Sequence, residues 1–233
     1  MLDLSNETMI HIKDGDIEYL QFRKLLDYKD KINHCYTLKS NNKDYKEEKD
    51  NNYKELYEKL NLDYEGFSKI EYQAHSDLVE IVEDKNQFFN NIDGLLTNKK
   101  GISLSLRFAD CTPILFYDPI KNVIGNVHSG WKGTVQKIGQ KGLQKMIKEY
   151  GCNVKDIICL IGPCIGMCHF EVGEDVKEIF ENTFSYLGDL ENIIKKGEIK
   201  DDWQKYFVDT TLINRMLLEE IGVLPQNIIE SNI

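Results

Sequence analysis

Residues 101–133 read GISLSLRFADCTPILFYDPIKNVIGNVHSGWKG, and the fold is decided there. Ile102, Leu104, Leu106 and Phe108 alternate with Ser103, Ser105 and Arg107, a period of two that predicts a strand. Residues 112–117 and 123–127 predict two more, divided by the turn at Asp118-Pro119. The apolar runs give way to polar clusters at Ala109-Asp110-Cys111 and at His128-Ser129-Gly130-Trp131-Lys132-Gly133. Strand ends are where α/β proteins place their chemistry. After Gly133 a helix is predicted to about Tyr150, with Val135, Ile138, Leu143, Met146 and Ile147 as its apolar stripe and Gly151 at C′.

Outward from this stretch, residues 8–40 carry short apolar runs broken by charges, the pattern of strands and turns. Residues 41–59 begin as a solvated loop. They end in a helix where Tyr53, Leu56, Tyr57 and Leu60 share a face. Residues 70–83 predict two short strands with His75 in the turn between them, and Asn91-Ile92-Asp93-Gly94 predicts another turn. Residues 157–161 read as a buried strand, and 175–184 and 210–221 as helices, the second capped by Asp209. No repeat or linker divides the chain, so one α/β domain over residues 1–233 is expected, with mixed sheets flanked by helices.

With 41% hydrophobic residues, ten Phe and twelve Tyr, the 233 residues can bury a substantial core. The net charge of −10 argues against nucleic acid or an anionic membrane as partner. No membrane span or signal peptide is evident, which predicts a cytoplasmic protein. With only Arg23, Arg107 and Arg215 as arginines, an anionic substrate must rely on lysines, backbone N–H groups or a metal. In a reducing compartment the six cysteines suit metal ligation, catalysis or core packing better than disulfides.

Pairing of neighbouring strands would open Cys111 and His128 onto one sheet edge. Three chemistries fit. His75, Cys111 and His128 could hold a zinc ion with a fourth position open. Cys111 could act as a nucleophile with His128 as its base. Or Cys111 is core packing and His128 caps a helix, which spacing alone favours. Cys164, Cys168 and His169 read as a structural loop between Gly162 and Gly166 and beyond, and Glu171 as a surface carboxylate.

Several blocks appear in order: Tyr72-Gln73-Ala74-His75, Ala109-Asp110-Cys111-Thr112-Pro113, residues 128–134 (HSGWKGT), Ile161-Gly162-Pro163-Cys164-Ile165-Gly166 and Phe170-Glu171-Val172-Gly173. Together they resemble the laccase-domain family of YfiH and YlmD type. The resemblance implies a layered α/β sandwich unrelated to true multicopper laccases, with zinc on His75, Cys111 and His128. It implies phosphorolysis of adenosine, inosine and methylthioadenosine, and deamination of adenosine, so that nucleoside and phosphate are the partners. On this view Asp110 carries a proton, catalysis involves Asp110, Cys111 and His128, and Gly130, Lys132 and Gly133 cradle phosphate. Lys39 stands where the family has an arginine. The resemblance also implies a Cys-Thr and arginine-rich tail past Ile233 that this sequence lacks. A Cys–His hydrolase or amidase of peptidoglycan precursors, a copper polyphenol oxidase, and a nucleoside-binding protein without turnover are the alternatives.

Overall fold

The computed structural model describes residues 3–39, 43, 45, 51–66, 68–85, 87–188, 190–200 and 203–233. In chain order the strands are β1 (Met9–Asp14), β2 (Ile17–Phe22), β3 (Tyr36–Thr37), β4 (Lys69–Ile70), β5 (Val79–Ile81), β6 (Phe88–Phe89), β7 (Gly94–Thr97), β8 (Thr112–Asp118), β9 (Val123–Ser129), β10 (Ile158–Ile161), β11 (Glu171–Val172), β12 (Ile194–Lys200), β13 (Trp203–Val208) and β14 (Ile228–Glu230). The helices are α1 (Arg23–Leu26), α2 (Asn51–Lys59), α3 (Trp131–Val135), α4 (Ile138–Tyr150), α5 (Glu174–Phe184) and α6 (Thr210–Glu220).

A mixed six-stranded sheet, ordered β14-β10-β8-β9-β7-β5, forms the centre. Its strands are apolar on both faces because both are covered. Ile114, Phe116, Val127, Cys159 and Ile161 pack on one face with Ile138, Leu143 and Met146 of α4 and Leu218 of α6. The alternate residues Tyr117, Ile158 and Leu160 pack on the other with Met9, Leu20 and Phe22 of the β1-β2-β3 sheet. This is the expected layered α/β arrangement of several sheets and flanking helices. A third sheet, β11-β13-β12, shares a core with α5 and α6 through Val172, Phe180, Phe184, Val208 and Ile213.

The helix expectations hold with one correction: the single helix expected from Gly133 to about Tyr150 is two, α3 and α4, broken where Lys137 turns left-handed at φ 61°, and Val135 packs with the core of α5 and α6 instead of the α4 stripe. Tyr53, Leu56, Tyr57 and Leu60 are buried against Ile17 and Tyr19. Gly151 takes a left-handed conformation at φ 64° and donates to the Ile147 carbonyl. Asp209 caps α6 by accepting from the Leu212 N–H. The predicted loop before α2, including Ser40 and Asn41, falls mostly outside the described residues.

Residues 102–108 are the main correction. They do not form a strand; only Ser103 makes an isolated bridge. Ile102, Leu104 and Leu106 do share an apolar face, against Ile70, Val82, Ile92 and Leu95. The backbone, however, is held partly by side chains. The Gln73 amide donates to the Arg107 carbonyl at 3.0 Å and accepts its N–H at 2.7 Å, and Asn126 donates to the Leu104 carbonyl. Alternation reports one buried face and does not require a partner strand.

Two predictions follow from packing and burial. A Cβ added at Gly125 on β9 would lie 2.5 Å from Leu96 Cδ2 and 2.9 Å from Phe116 Cδ2. Gly125→Ala should therefore lower unfolding stability by about 1–3 kcal/mol, read by urea titration. His34 Nε2 accepts the Phe22 N–H at 2.7 Å, which needs the neutral ring, and burial pushes its pKa down to about 4. Stability from this group is present above pH 6.5 and is lost as pH falls through 4, on the order of 2–3 kcal/mol allowing for partial exposure. His34→Gln should flatten that part of the pH–stability curve; equal acid sensitivity in both proteins would contradict the assignment.

Candidate metal centre

Antiparallel pairing of β8 with β9 sets Thr112 opposite Ser129 and Pro113 opposite His128. Cys111, just before β8, therefore meets His128 near the end of β9 on one sheet edge, as the sequence predicts. The third group, His75, comes from the loop between β4 and β5, in a left-handed backbone conformation at φ 57°. The ligand atoms of His75, Cys111 and His128 all lie within 4.8 Å of one another. No other such group of three or more ligand-type residues occurs among the described residues. His75 is exposed, Cys111 half-buried and His128 buried.

This convergence depends on small residues. A Cβ at Gly130 would sit 2.8 Å from His75 Cδ2 and 3.0 Å from Cys111 Sγ. A Cβ at Gly133 would sit 3.3 Å from the Ser76 carbonyl and 3.4 Å from that of His128. Both glycines thus let the ligand-bearing segments approach, a role the sequence reading did not give them. Beneath them Ser129, Thr134 and Asn214 are buried and hydrogen-bonded to one another, which ties the β9–α3 turn to α6.

Asp93, read from sequence only as part of a turn, is fully buried beside the cluster. Its Oδ1 lies 2.8 Å from His128 Nδ1. Burial opposes its ionised form, but hydrogen bonds from His128 and Ser76 outweigh this and hold the carboxyl below its usual range. Burial likewise opposes charge on His128, yet Asp93 and Cys111 raise its pKa to about 9. A metal binding His128 therefore competes with a proton that Asp93 and Cys111 favour. No signal in a single sequence marks Asp93, since it sits among turn-forming residues.

The cluster opens into a cavity of about 1380 Å³. Tyr36, Tyr72 and Phe108 line it, with Asp110, Lys39 and Arg107. The Phe108 ring lies 5.4 Å from that of His128 and 6.3 Å from that of Tyr36. Asp110 and Lys39 are exposed there, and Arg107 Nη2 donates to the Ile70 and Glu71 carbonyls. Lys132 is exposed with Nζ 5.5 Å over the Trp131 ring, and is not among the cavity-lining residues. Cys168 and His169 contact each other at 3.0 Å outside the cluster, and Glu171 pairs with Lys200 and Lys205.

Two histidines and a thiolate backed by a buried carboxylate form a donor set that fits a metal ion with a position left for a further ligand. Comparison with known proteins places the arrangement. The chain is 33% identical over 181 residues to human "Purine nucleoside phosphorylase LACC1", covering 78% of this chain and 39% of that protein. It is 30% identical over 150 residues to "Adenosine deaminase RL5" of an unknown prokaryotic organism, covering 64% of this chain and 55% of that one. The chain thus spans between two fifths and just over half of these relatives. The crystal structure of the Bacillus licheniformis hypothetical protein YfiH superposes with a TM-score of 0.74 at 25% identity, covering 99% of this chain and 87% of that one. The family model described as "Multi-copper polyphenol oxidoreductase laccase" matches residues 29–233. Only the first two strands and α1 lie outside that match, and the chain belongs to this family.

Proposed function

We propose that the protein is a zinc-dependent purine nucleoside phosphorylase that also deaminates adenosine. The observation that carries this reading is the convergence of His75, Cys111 and His128 at a cavity edged by Tyr36, Tyr72 and Phe108. It is supported by relatives named for both activities. Zinc held by those three side chains would supply a Lewis acid with one position free for water or substrate.

The chain's own groups supply the rest. Aromatic faces in the cavity wall, with Phe108 beside His128, suit a purine, because stacking needs only a flat apolar ring. In phosphorolysis a phosphate oxygen bonds to ribose C1′ as the bond from C1′ to the base nitrogen breaks, and the departing base takes a proton. In deamination water adds at C6 and ammonia leaves. Asp110, exposed in the cavity wall next to Cys111, is the candidate proton carrier for both. Lys39 in the same wall is the candidate cation for phosphate, and Gly130, Lys132 and Gly133, at the turn after His128, are further candidates that do not line the cavity. Lysine offers a point charge rather than a two-pronged grip, so phosphate should be held weakly.

Copper oxidation of phenols fits less well. A multicopper centre needs more imidazoles than the five in this chain, and His11 and His34 belong to the β1-β2-β3 side.

Purified protein should contain about one zinc per chain by elemental analysis. It should release hypoxanthine from inosine only when phosphate is present. Cys111→Ala should lose both. Asp110→Asn should keep the metal and slow turnover by roughly 100-fold or more. Turnover that survives chelation and dies on thiol alkylation would replace this reading with Cys–His hydrolysis.

A further inference from the structure

The carboxylate of Asp93 is saturated in an unusual way. Its Oδ1 accepts the His75 N–H at 3.1 Å and contacts His128 Nδ1 at 2.8 Å. Its Oδ2 accepts the Ala74 N–H at 3.1 Å, the Ser76 N–H at 2.7 Å and the Ser76 hydroxyl at 2.7 Å. Its carbonyl accepts the His128 N–H at 2.7 Å. No part of the residue is exposed. Every one of these donors belongs to a residue that carries a ligand or flanks one.

The backbone explains why Asp93 can do this. β7 pairs with β9 with Gly94 opposite Val127, so Asp93, one residue earlier, stands across from His128. A Cβ at Gly94 would lie 2.8 Å from both Val127 and Val79 side chains, so glycine there lets β7 sit close between its neighbours. The three consecutive N–H groups of Ala74, His75 and Ser76 converge on the carboxylate, a concave donor arrangement that favours an anion. That arrangement includes the left-handed His75, a conformation costly for a side chain of this kind unless its surroundings hold it.

We propose that Asp93 is the positioning residue of the metal centre and couples two of its three ligands. A carboxylate can only accept, so Nδ1 of His128 must carry the hydrogen and Nε2 is left to face the metal. The same carboxylate closes the turn that brings His75 to His128, whose rings stand 4.9 Å apart. Loss of Asp93 therefore misplaces two ligands, while loss of the Ser76 hydroxyl removes one of several donors and neither ligand. This rests on the metal reading above, and the experiment separates the two.

The test is zinc affinity by chelator competition for wild type, Asp93→Asn and Ser76→Ala, with long-range ¹H–¹⁵N spectra of histidine-labelled, zinc-loaded wild type. Asn keeps the shape of Asp93 but turns one acceptor into a donor. Asp93→Asn should bind zinc at least 10–100-fold more weakly, while its metal-free form still unfolds cooperatively. Ser76→Ala should stay close to wild type. The spectra should show His128 protonated at Nδ1 and bound through Nε2. Equal zinc affinity in wild type and Asp93→Asn would overturn the proposal, and so would metal on Nδ1 of His128, a result that does not depend on the variant folding. Wild type that binds no zinc would overturn the metal reading and this proposal with it.

Discussion

The register of β8 against β9 is the constraint on which the site depends. Because side chains alternate along a strand, a slip of one residue would turn His128 away from Cys111 and move the buried residues of the slipped strand to its opposite face. That slip is opposed by Ile114, Phe116 and Val127 facing α4 and by Tyr117 facing the β1-β2-β3 sheet. The chemistry is thus placed by the same burial that stabilises the core. Two covered faces make the register costly to change, and the sheet edge inherits that precision.

His75 has no comparable ladder. Its loop follows a two-residue strand and reaches the site through hydrogen bonds instead of sheet pairing. Gln73 binds the main chain of Arg107, which leads to Cys111, and Asp93 binds the amides of residues 74–76 and the ring of His128. Two side chains therefore tie the exposed ligand to the two better-anchored ones. Glycines at 130 and 133 allow the approach, and an alanine at 130 would collide with both His75 and Cys111.

Much of this was legible in the sequence for a physical reason. Helices α2 and α4 announce themselves because one face of each is apolar. Cys111 and His128 stand out because polar clusters at strand ends interrupt apolar runs. What was not legible depends on contacts distant in sequence. Asp93 resembles any aspartate in a turn until β7 is paired with β9. The close approach of His75 and Cys111 to Gly130 cannot be read from the turn that contains the glycine. Residues 102–108 alternate like a strand, but alternation records which side is buried and says nothing of whether a partner strand is there. Strand β12, IKKGEIK, carries too few apolar residues to mark it in advance.

The central claim is that the fold assembles a metal centre from one thiolate and two imidazoles. X-ray absorption at the zinc edge of metal-loaded protein tests it most directly. The account predicts one sulfur neighbour at about 2.3 Å and two imidazole nitrogens at about 2.0–2.1 Å, with the sulfur absent in Cys111→Ala. A coordination shell of oxygen and nitrogen alone in the wild-type protein would contradict it.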